Sequence, residues 1–504
     1  MEIIPSQIIG FRFPPGNGEI FFGYNPNTES VLETAFHEAS GQDIREAVDL
    51  AHFAFSSYRN TSAENKSLFL ETIAANIEAL GDELLGIIHD ETALPLARLT
   101  GERSRTVGQL RLFAKLLKDG NWNRVIRDEA LPDRKPIPRP EMLQMQKPIG
   151  VVVVFGSSNF PLAFSVAGGD TTAALAAGCP VIFKAHPAHP ATSQLIGRAI
   201  AEAAKKTGMP DGVFSMLHGF SHEIGGSLVT HPLVKAVAFT GSFRGGKSLY
   251  DLAARRKEPI PVYAEMGSVN PVFFLPDAVK TGGDSLATQF AQSVTLGTGQ
   301  FCTNPGLSVF LNNEESKTFI TKVAAAVSAI NLHPFLTSAI AGAYQAGLEK
   351  QKKLPGASTV SEVAGNNIVS HISMVSAKNV IGHPEYFEEL FGPSTIAVIA
   401  DNVEELKKII EIMPGQLTAT IQAAEKDYPL ATILIDELTQ KAGRLVMNGF
   451  PTGVEVCHSM VHGGPFPATT DSRVTSVGTT SIYRFTRPVC YQNIPEVLIP
   501  GIGS

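Results

Sequence analysis

The chain has 504 residues, 44% of them hydrophobic and 18% charged, with a formal net charge of −7. This is the composition of a soluble globular protein with room for two to four domains, and its mixed signs exclude a basic face for nucleic acid or a polybasic segment for an anionic membrane. Four scattered cysteines, Cys179, Cys302, Cys457 and Cys490, exclude a disulfide framework and any C-x-x-C metal or redox site, so reduced thiols are expected.

The N-terminal MEIIPSQIIG has neither the basic flank nor the apolar run of a signal peptide, and the apolar run from Gly150 is broken by Ser157, Ser158, Asn159 and Pro161. A cytoplasmic protein without a membrane span is expected. Ile44, Ala47, Val48, Ala51 and Phe55 recur at helical spacing, as do the apolar residues of SLFLETIAANIEALGDELLGIIHDE, so residues 1–120 are predicted as a helical layer. Prolines 132, 136, 138, 140 and 148 then forbid a helix and predict an extended excursion or edge strand. From Gly150, VVVVF, PVIFKA, VFSMLH and VKAVAFTG alternate with helix-like segments. Strands apolar on both faces and joined by helices imply a buried parallel sheet that binds ligands at its carboxyl edge, where Asn159, Lys184 and Gly241 fall. A second β/α series, NPVFFLP, SVFLNN, TIAVIA and RLVMNGF, places a second domain from about residue 268. The tail TTSIYRFTRPVCYQNIPEVLIP alternates around Ile482, Tyr483 and Phe485, which predicts an extended arm.

Residues able to carry chemistry cluster at the predicted strand ends. Glu265, in VYAEMGSVNP, is a polar strand end or a general base. Asn159 either caps the next helix or offers its amide to an oxyanion. Lys184 snorkels from its strand or meets a ribose or phosphate. Gly241 and Ser242, in FTGSFRGGK, form a plain strand-to-helix turn or a phosphate contact at a helix N-terminus, while the G-x-G-x-x-G fingerprint is not met. His186 and His189 read as solvated loop histidines without a third ligand, so no metal is expected. Cys179 reads as a small core residue. Cys302 lies in the glycine-flanked turn GTGQFCTNPG, where it is either structural or a thiol presented for attack.

Taken together, SNFPLAF at Asn159, VIFK at Lys184, FTGS at 239–242, AEMG at Glu265, GQFC at Cys302 and ELFGP at 389–393 resemble the aldehyde dehydrogenase superfamily in order and spacing. The resemblance implies an α/β fold with two parallel-sheet domains, a Rossmann-like cofactor domain (1–130 and 150–267) and a catalytic domain (268–470), plus a small β arm (131–149 and 471–504) through which a homodimer or homotetramer forms. It implies Cys302 as nucleophile, Asn159 as oxyanion donor and Glu265 as the base that releases a thioester, with Glu389 and Phe391 on the nicotinamide and its ribose. Where many NAD-preferring members carry a glutamate three positions after the strand-end lysine, this chain has Pro187. NADP is therefore expected, held by Lys184 and His186, with NAD also usable. The stretches GGDTTAALAAGCPVIFKAHPAHPATS and MNGFPTGVEVCHSMVHGGPFPATTD are most similar to the α-ketoglutaric semialdehyde (2,5-dioxovalerate) branch, and also to NADP-dependent fatty aldehyde relatives. An anionic substrate calls for a basic residue, offered by Arg105 and Arg111 unless these form surface ion pairs. An aliphatic one calls for apolar lining by Phe160, Phe164, Leu110 and Phe301. A CoA-acylating enzyme and a non-catalytic scaffold of the same fold are the remaining alternatives; Glu265 argues against the first, and Cys302, Asn159 and Glu265 standing together argue against the second.

Overall fold

The computed structural model describes residues 3–365 and 368–500; the last four residues of the expected arm, 501–504, lie outside them. A six-stranded sheet runs in the order Ile8–Ile9, Phe214–Leu217, Val181–Lys184, Val151–Phe155, Val234–Thr240, Val262–Glu265. Every pair is parallel except that of Ile8–Ile9. The central Val151–Phe155 is buried throughout, because helices pack on both faces of the sheet and only apolar, β-branched strands suit that position. Register then aligns the strand ends: Phe155 stands opposite Lys184 and Phe239, and Glu265 opposite Thr240. Asn159, Lys184, Gly241 and Glu265 consequently share one carboxyl edge.

The second sheet has seven strands, in the order Ser358–Gly365, Ile368–Ser376, Ser394–Ala400, Leu307–Leu311, Val272–Phe274, Gln416–Gln422, Ala442–Met447, all parallel except the hairpin formed by the first two. A three-stranded sheet joins Thr486–Gln492, Met142–Pro148 and Ile126–Asp128. The Pro-rich excursion thus ends in a strand paired with the C-terminal one.

Two expectations are corrected. The first 120 residues are not all helical: Ile20–Asn25 and Ser30–His37 form an antiparallel hairpin ahead of the helices Gly41–Tyr58, Ala63–Ala79, Gly81–Thr92 and Leu96–Asp119. The turn residues Asn25, Pro26 and Asn27 between two β-branched and aromatic runs are its signature. Ile482, Tyr483 and Phe485 do not lie in an extended arm but in the 3₁₀ turn Thr479–Phe485, with Ile482 and Phe485 fully buried. Their burial inside the core outweighs the period-two pattern, and only Thr486–Gln492 is extended.

Candidate active site

Cys302 stands on the turn before the strand Leu307–Leu311. The turn is shaped by three consecutive residues at positive φ, Gly297 (56°), Thr298 (59°) and Gly299 (70°). Gly299 is required, since a Cβ there would come within 2.1 Å of the Gly392 carbonyl oxygen. Thr298 tolerates the conformation because its hydroxyl donates to the His333 carbonyl at 2.7 Å. Asn270, fully buried, places its Nδ2 2.9 Å from the carbonyl oxygens of both Cys302 and Asn304 and so fixes the turn from beneath.

Glu265 ends its strand with both carboxylate oxygens engaged: Oε1 lies 2.9 Å from His462 Nε2, and Oε2 accepts from Ser476 Oγ at 2.7 Å. The same Nε2 is 3.4 Å from Cys302 Sγ. Because thiol and carboxylate meet one ring nitrogen, this is not the Ser-His-Asp arrangement, in which the partners use opposite nitrogens. His462 Nδ1 is buried with no hydrogen-bond partner among the described residues. An unpaired lone pair is less costly there than an unpaired N–H, which favours the tautomer whose Nε2–H donates to Glu265.

Burial alone would push the Glu265 carboxyl up; the His462 imidazole and hydrogen bonds from His462, Ser476 and Cys302 overcome this and hold it below the usual carboxylate range. Burial pushes the Cys302 thiol up, well above its ordinary value, and the neighbouring Glu265 charge adds to the effect. The resting pair is therefore a thiol beside an ionised carboxylate.

Asn159 is buried after the strand Val151–Phe155 and donates one Nδ2 hydrogen to the Gln300 carbonyl at 3.0 Å, which leaves the other free. The rings of Phe160, Phe164 and Phe301 gather beside it: Phe160 lies 5.3 Å from Phe164 and 5.2 Å from Phe301, and Phe164 lies 6.0 Å from the His462 ring. Helix Leu96–Asp119 presents Arg98, Glu102 and Arg105 to this cluster, at the i, i+4, i+7 spacing of one face. The Arg105 guanidinium lies 5.1 Å over Phe164, and its Nη1 is buried with no hydrogen-bond partner among the described residues.

Arg111 does not belong to the site. It is exposed and paired with Glu78 at 2.6 Å and Glu71 at 3.6 Å. Six residues beyond Arg105 it is turned about 120° round the helix, which is why the two cannot act together. Leu110, a candidate for tunnel lining, is instead fully packed in the core with Leu117 and Phe113.

At the cofactor end, Lys184 Nζ donates to the Gly219 carbonyl. Burial lowers its ammonium to about 8 while the nearby Glu38 carboxylate opposes the shift. Ser242 caps helix Phe243–Ala254, its Oγ accepting from Gly245 N–H at 3.2 Å, and with Gly241 it leaves an exposed helix N-terminus. Glu389 packs on Gly267, where a Cβ would meet its Oε2 at 2.5 Å, and burial raises its carboxyl to about 7. Phe391 lies two residues on, half-buried. An ammonium, an open helix N-terminus and a carboxylate beside the reacting residues fit the charges and hydroxyls of a nicotinamide dinucleotide. The histidine pair is corrected: His189 is fully buried, its Nε2 3.0 Å from the Ser157 carbonyl and Nδ1 3.2 Å from Ser193 Oγ, and its ring stacks on half-buried His186 at 5.5 Å. Burial holds His186 well below its ordinary value, so it is neutral and can offer only a neutral hydrogen-bonding group to the adenosine end.

Sequence reasoning missed Arg98, Asn270, His462 and Ser476. His462 lay in a polar Gly-rich stretch already singled out, and Asn270 precedes a proline in the turn VNP. Arg98 carried no signal beyond its helical spacing from Arg105.

A thiol beside an ionised carboxylate, with a buried amide bonded to the same turn as the thiol and a strand edge whose groups fit a dinucleotide, is the arrangement of an oxidoreductase acting on aldehydes. The aldehyde dehydrogenase family model matches residues 15–352, and the chain belongs to that family, which oxidises aldehydes to acids with NAD(P). Among its relatives, it is 48% identical over 99% of its length to alpha-ketoglutaric semialdehyde dehydrogenase 2 of Azospirillum brasilense, 96% of which is covered. It is 43% identical over 96% of its length to alpha-ketoglutaric semialdehyde dehydrogenase of Acinetobacter baylyi, 94% of which is covered. The fold is shared with betaine aldehyde dehydrogenase of Staphylococcus aureus, solved with NAD+, at a TM-score of 0.83 and 20% identity over 98% of this chain and 97% of that one. No helix among the described residues is long and apolar enough to cross a membrane.

Proposed function

We propose that the protein oxidises α-ketoglutaric semialdehyde to 2-oxoglutarate, with Cys302, Glu265 and Asn159 as its reacting groups. The observation that carries this reading is the Cys302 thiol held within 4.8 Å of both the Glu265 carboxylate and His462 Nε2. Glu265 takes the thiol proton as Sγ bonds to the aldehyde carbon, and His462 Nε2–H turns to the nascent thiolate. The free Asn159 N–H and the Cys302 backbone N–H receive the oxyanion. Glu265 passes its proton to solvent. A nicotinamide dinucleotide, which Lys184, Ser242 and Glu389 would hold, would supply the hydride acceptor, and Cys302 would carry the oxidised acyl group as a thioester. Glu265 then deprotonates a water that attacks the thioester, releasing the acid and the thiol.

The dinucleotide is NADP in this reading, with NAD also used: Pro187 removes a carboxylate from the ribose, although Glu38 stands near Lys184. The segments 1–130 and 150–267 carry the cofactor, 268–470 the catalytic turn, and the arm pairs subunits in a cytoplasmic dimer or tetramer. The relatives' names and the unpartnered Arg105 Nη1 beside the catalytic pocket support a substrate with a distal carboxylate. Phe160, Phe164 and Phe301 favour, as the second reading, an aliphatic aldehyde.

The test compares kcat/KM for 2,5-dioxopentanoate and hexanal in wild type and R105M. The proposal expects the keto acid to be preferred and R105M to cut that preference about tenfold or more, as loss of a charge-assisted hydrogen bond of roughly 1.5–3 kcal/mol does. Preference for hexanal in the wild type supports the aliphatic reading.

A further inference from the structure

Arg98 makes a set of contacts that no substrate is needed to explain. Its Nη2 donates to the backbone carbonyl of Asn159 at 2.6 Å. Its guanidinium carbon lies 5.0 Å from the Phe160 ring centre and 4.8 Å from that of Phe301, and these two rings meet nearly perpendicular, at 86°. Phe160 follows Asn159 and Phe301 precedes Cys302, so one cation touches both chain segments that supply the oxyanion donors. The segments are otherwise linked by Asn159 Nδ2 donating to Gln300 O.

The surroundings make room for this cation and brace it. A Cβ on Gly297 would come within 3.0 Å of Arg98 Nη1 and 2.7 Å of the Phe301 ring, so only glycine leaves the guanidinium its place. One helical turn further on, buried Glu102 accepts the N–H groups of Leu162 and Ala163 at 2.8 and 2.9 Å. Helix Leu96–Asp119 therefore grips the loop after Val151–Phe155 at two points, Arg98 at Asn159 and Glu102 at 162–163. That loop has left the sheet and has no strand ladder to hold it, while an oxyanion donor works only when held within tenths of an ångström of its place. Arg105 also has one nitrogen on a protein carbonyl, its Nη2 3.4 Å from Val454 O, and lies over Phe164, but that carbonyl belongs to neither segment that carries Asn159 or Cys302, and its Nη1 has no hydrogen-bond partner among the described residues.

We infer that Arg98 is a positioning residue that aligns Asn159 and Cys302 for oxyanion binding, an inference that rests on the roles proposed above for those two residues. It contributes to the tetrahedral species formed from any aldehyde, charged or not.

The experiment measures kcat and KM of R98M and R98K with 2,5-dioxopentanoate and with hexanal, with C302A in parallel. R98M is expected to lose about 30-fold or more in kcat on both aldehydes, a fraction of the 10²–10³ lost with an oxyanion donor itself, with KM changed less than about threefold. R98K, which retains a donor and a cation, recovers part of the loss, and guanidinium at tens of millimolar restores R98A toward wild type. Should R98M not fold, R98K and the guanidinium rescue carry the test, because a merely structural loss responds to neither. A defect confined to the keto acid with a raised KM would make Arg98 a carboxylate ligand and overturn the inference, as would unchanged kcat in both variants. Turnover by C302A would instead sink the nucleophile assignment, whatever Arg98 does.

Discussion

Cys302 is held in a form that needs help to react. Buried beside an ionised Glu265, its thiol resists ionisation, and the same carboxylate is the group placed to remove its proton. In the proposed mechanism Glu265 serves a second time on the thioester. In E265Q, which removes the base of both steps, a slowed NAD(P)H burst of at most one per active site, followed by a stall, is the expected trace in a stopped-flow measurement; steady turnover at the wild-type rate would remove Glu265 from both steps. Ser476 and His462 hold both carboxylate oxygens, so H462F should slow acylation by about tenfold to a thousandfold while leaving dinucleotide affinity unchanged, read by the rate of Cys302 alkylation and by cofactor titration.

At the scale of elements, the site depends on helices whose ends are anchored by side chains from elsewhere. Helix Pro190–Lys206, which follows the histidine pair at the cofactor edge, has its first turn capped by Glu91: the carboxylate accepts from Ala191 N–H at 2.7 Å and from Thr192 N–H at 2.9 Å. Burial raises the Glu91 carboxyl from 4.5 to about 7 despite those bonds. A folded-state value above the unfolded one means the proton is held more tightly in the fold. The associated stabilisation is full below about pH 4.5 and is lost as pH rises through about 7, on the order of 3 kcal/mol in all. The margin by which wild type exceeds E91Q in Tm should therefore shrink between pH 5.5 and 8; a margin that grows would show that the charged cap dominates. Helix Leu96–Asp119 has a different task, carrying Arg98, Glu102 and Arg105 on the face toward the site and Arg111 away from it.

Over the whole molecule, the carboxyl edge of the six-stranded sheet supplies Asn159, Lys184, Gly241 and Glu265. The turn entering the seven-stranded sheet supplies Cys302, and the segment after that sheet's last strand supplies His462. Exposed apolar side chains stand at Ile126 in the three-stranded sheet and at Val497 and Leu498 in the short 3₁₀ turn Glu496–Leu498, Val497 being 90% exposed. Exposed apolar residues of this kind suit a subunit contact. V497D with L498D should lower the assembled mass in light scattering, and an unchanged mass would move the subunit contact elsewhere.

What the sequence determined by itself was local chemistry and local order. Strands such as Val151–Phe155 were legible because a buried parallel strand must be apolar on both faces, and Cys302, Glu265 and Asn159 stood out as candidates beside a strand end or glycine turn, with the family resemblance selecting the chemical reading of each. The hairpin at 20–37 and the 3₁₀ turn at 479–485 were misread, since hydrophobic period alone does not weigh turn residues against periodicity or say what the core will enclose. Only the tertiary structure could bring His462 to Glu265 across 197 positions, set Arg98 against Asn159 across 61, and pair Arg111 with Glu78 across 33. Those pairings follow from how helices, loops and strands distant in the chain pack against one another, which no spacing along the chain records.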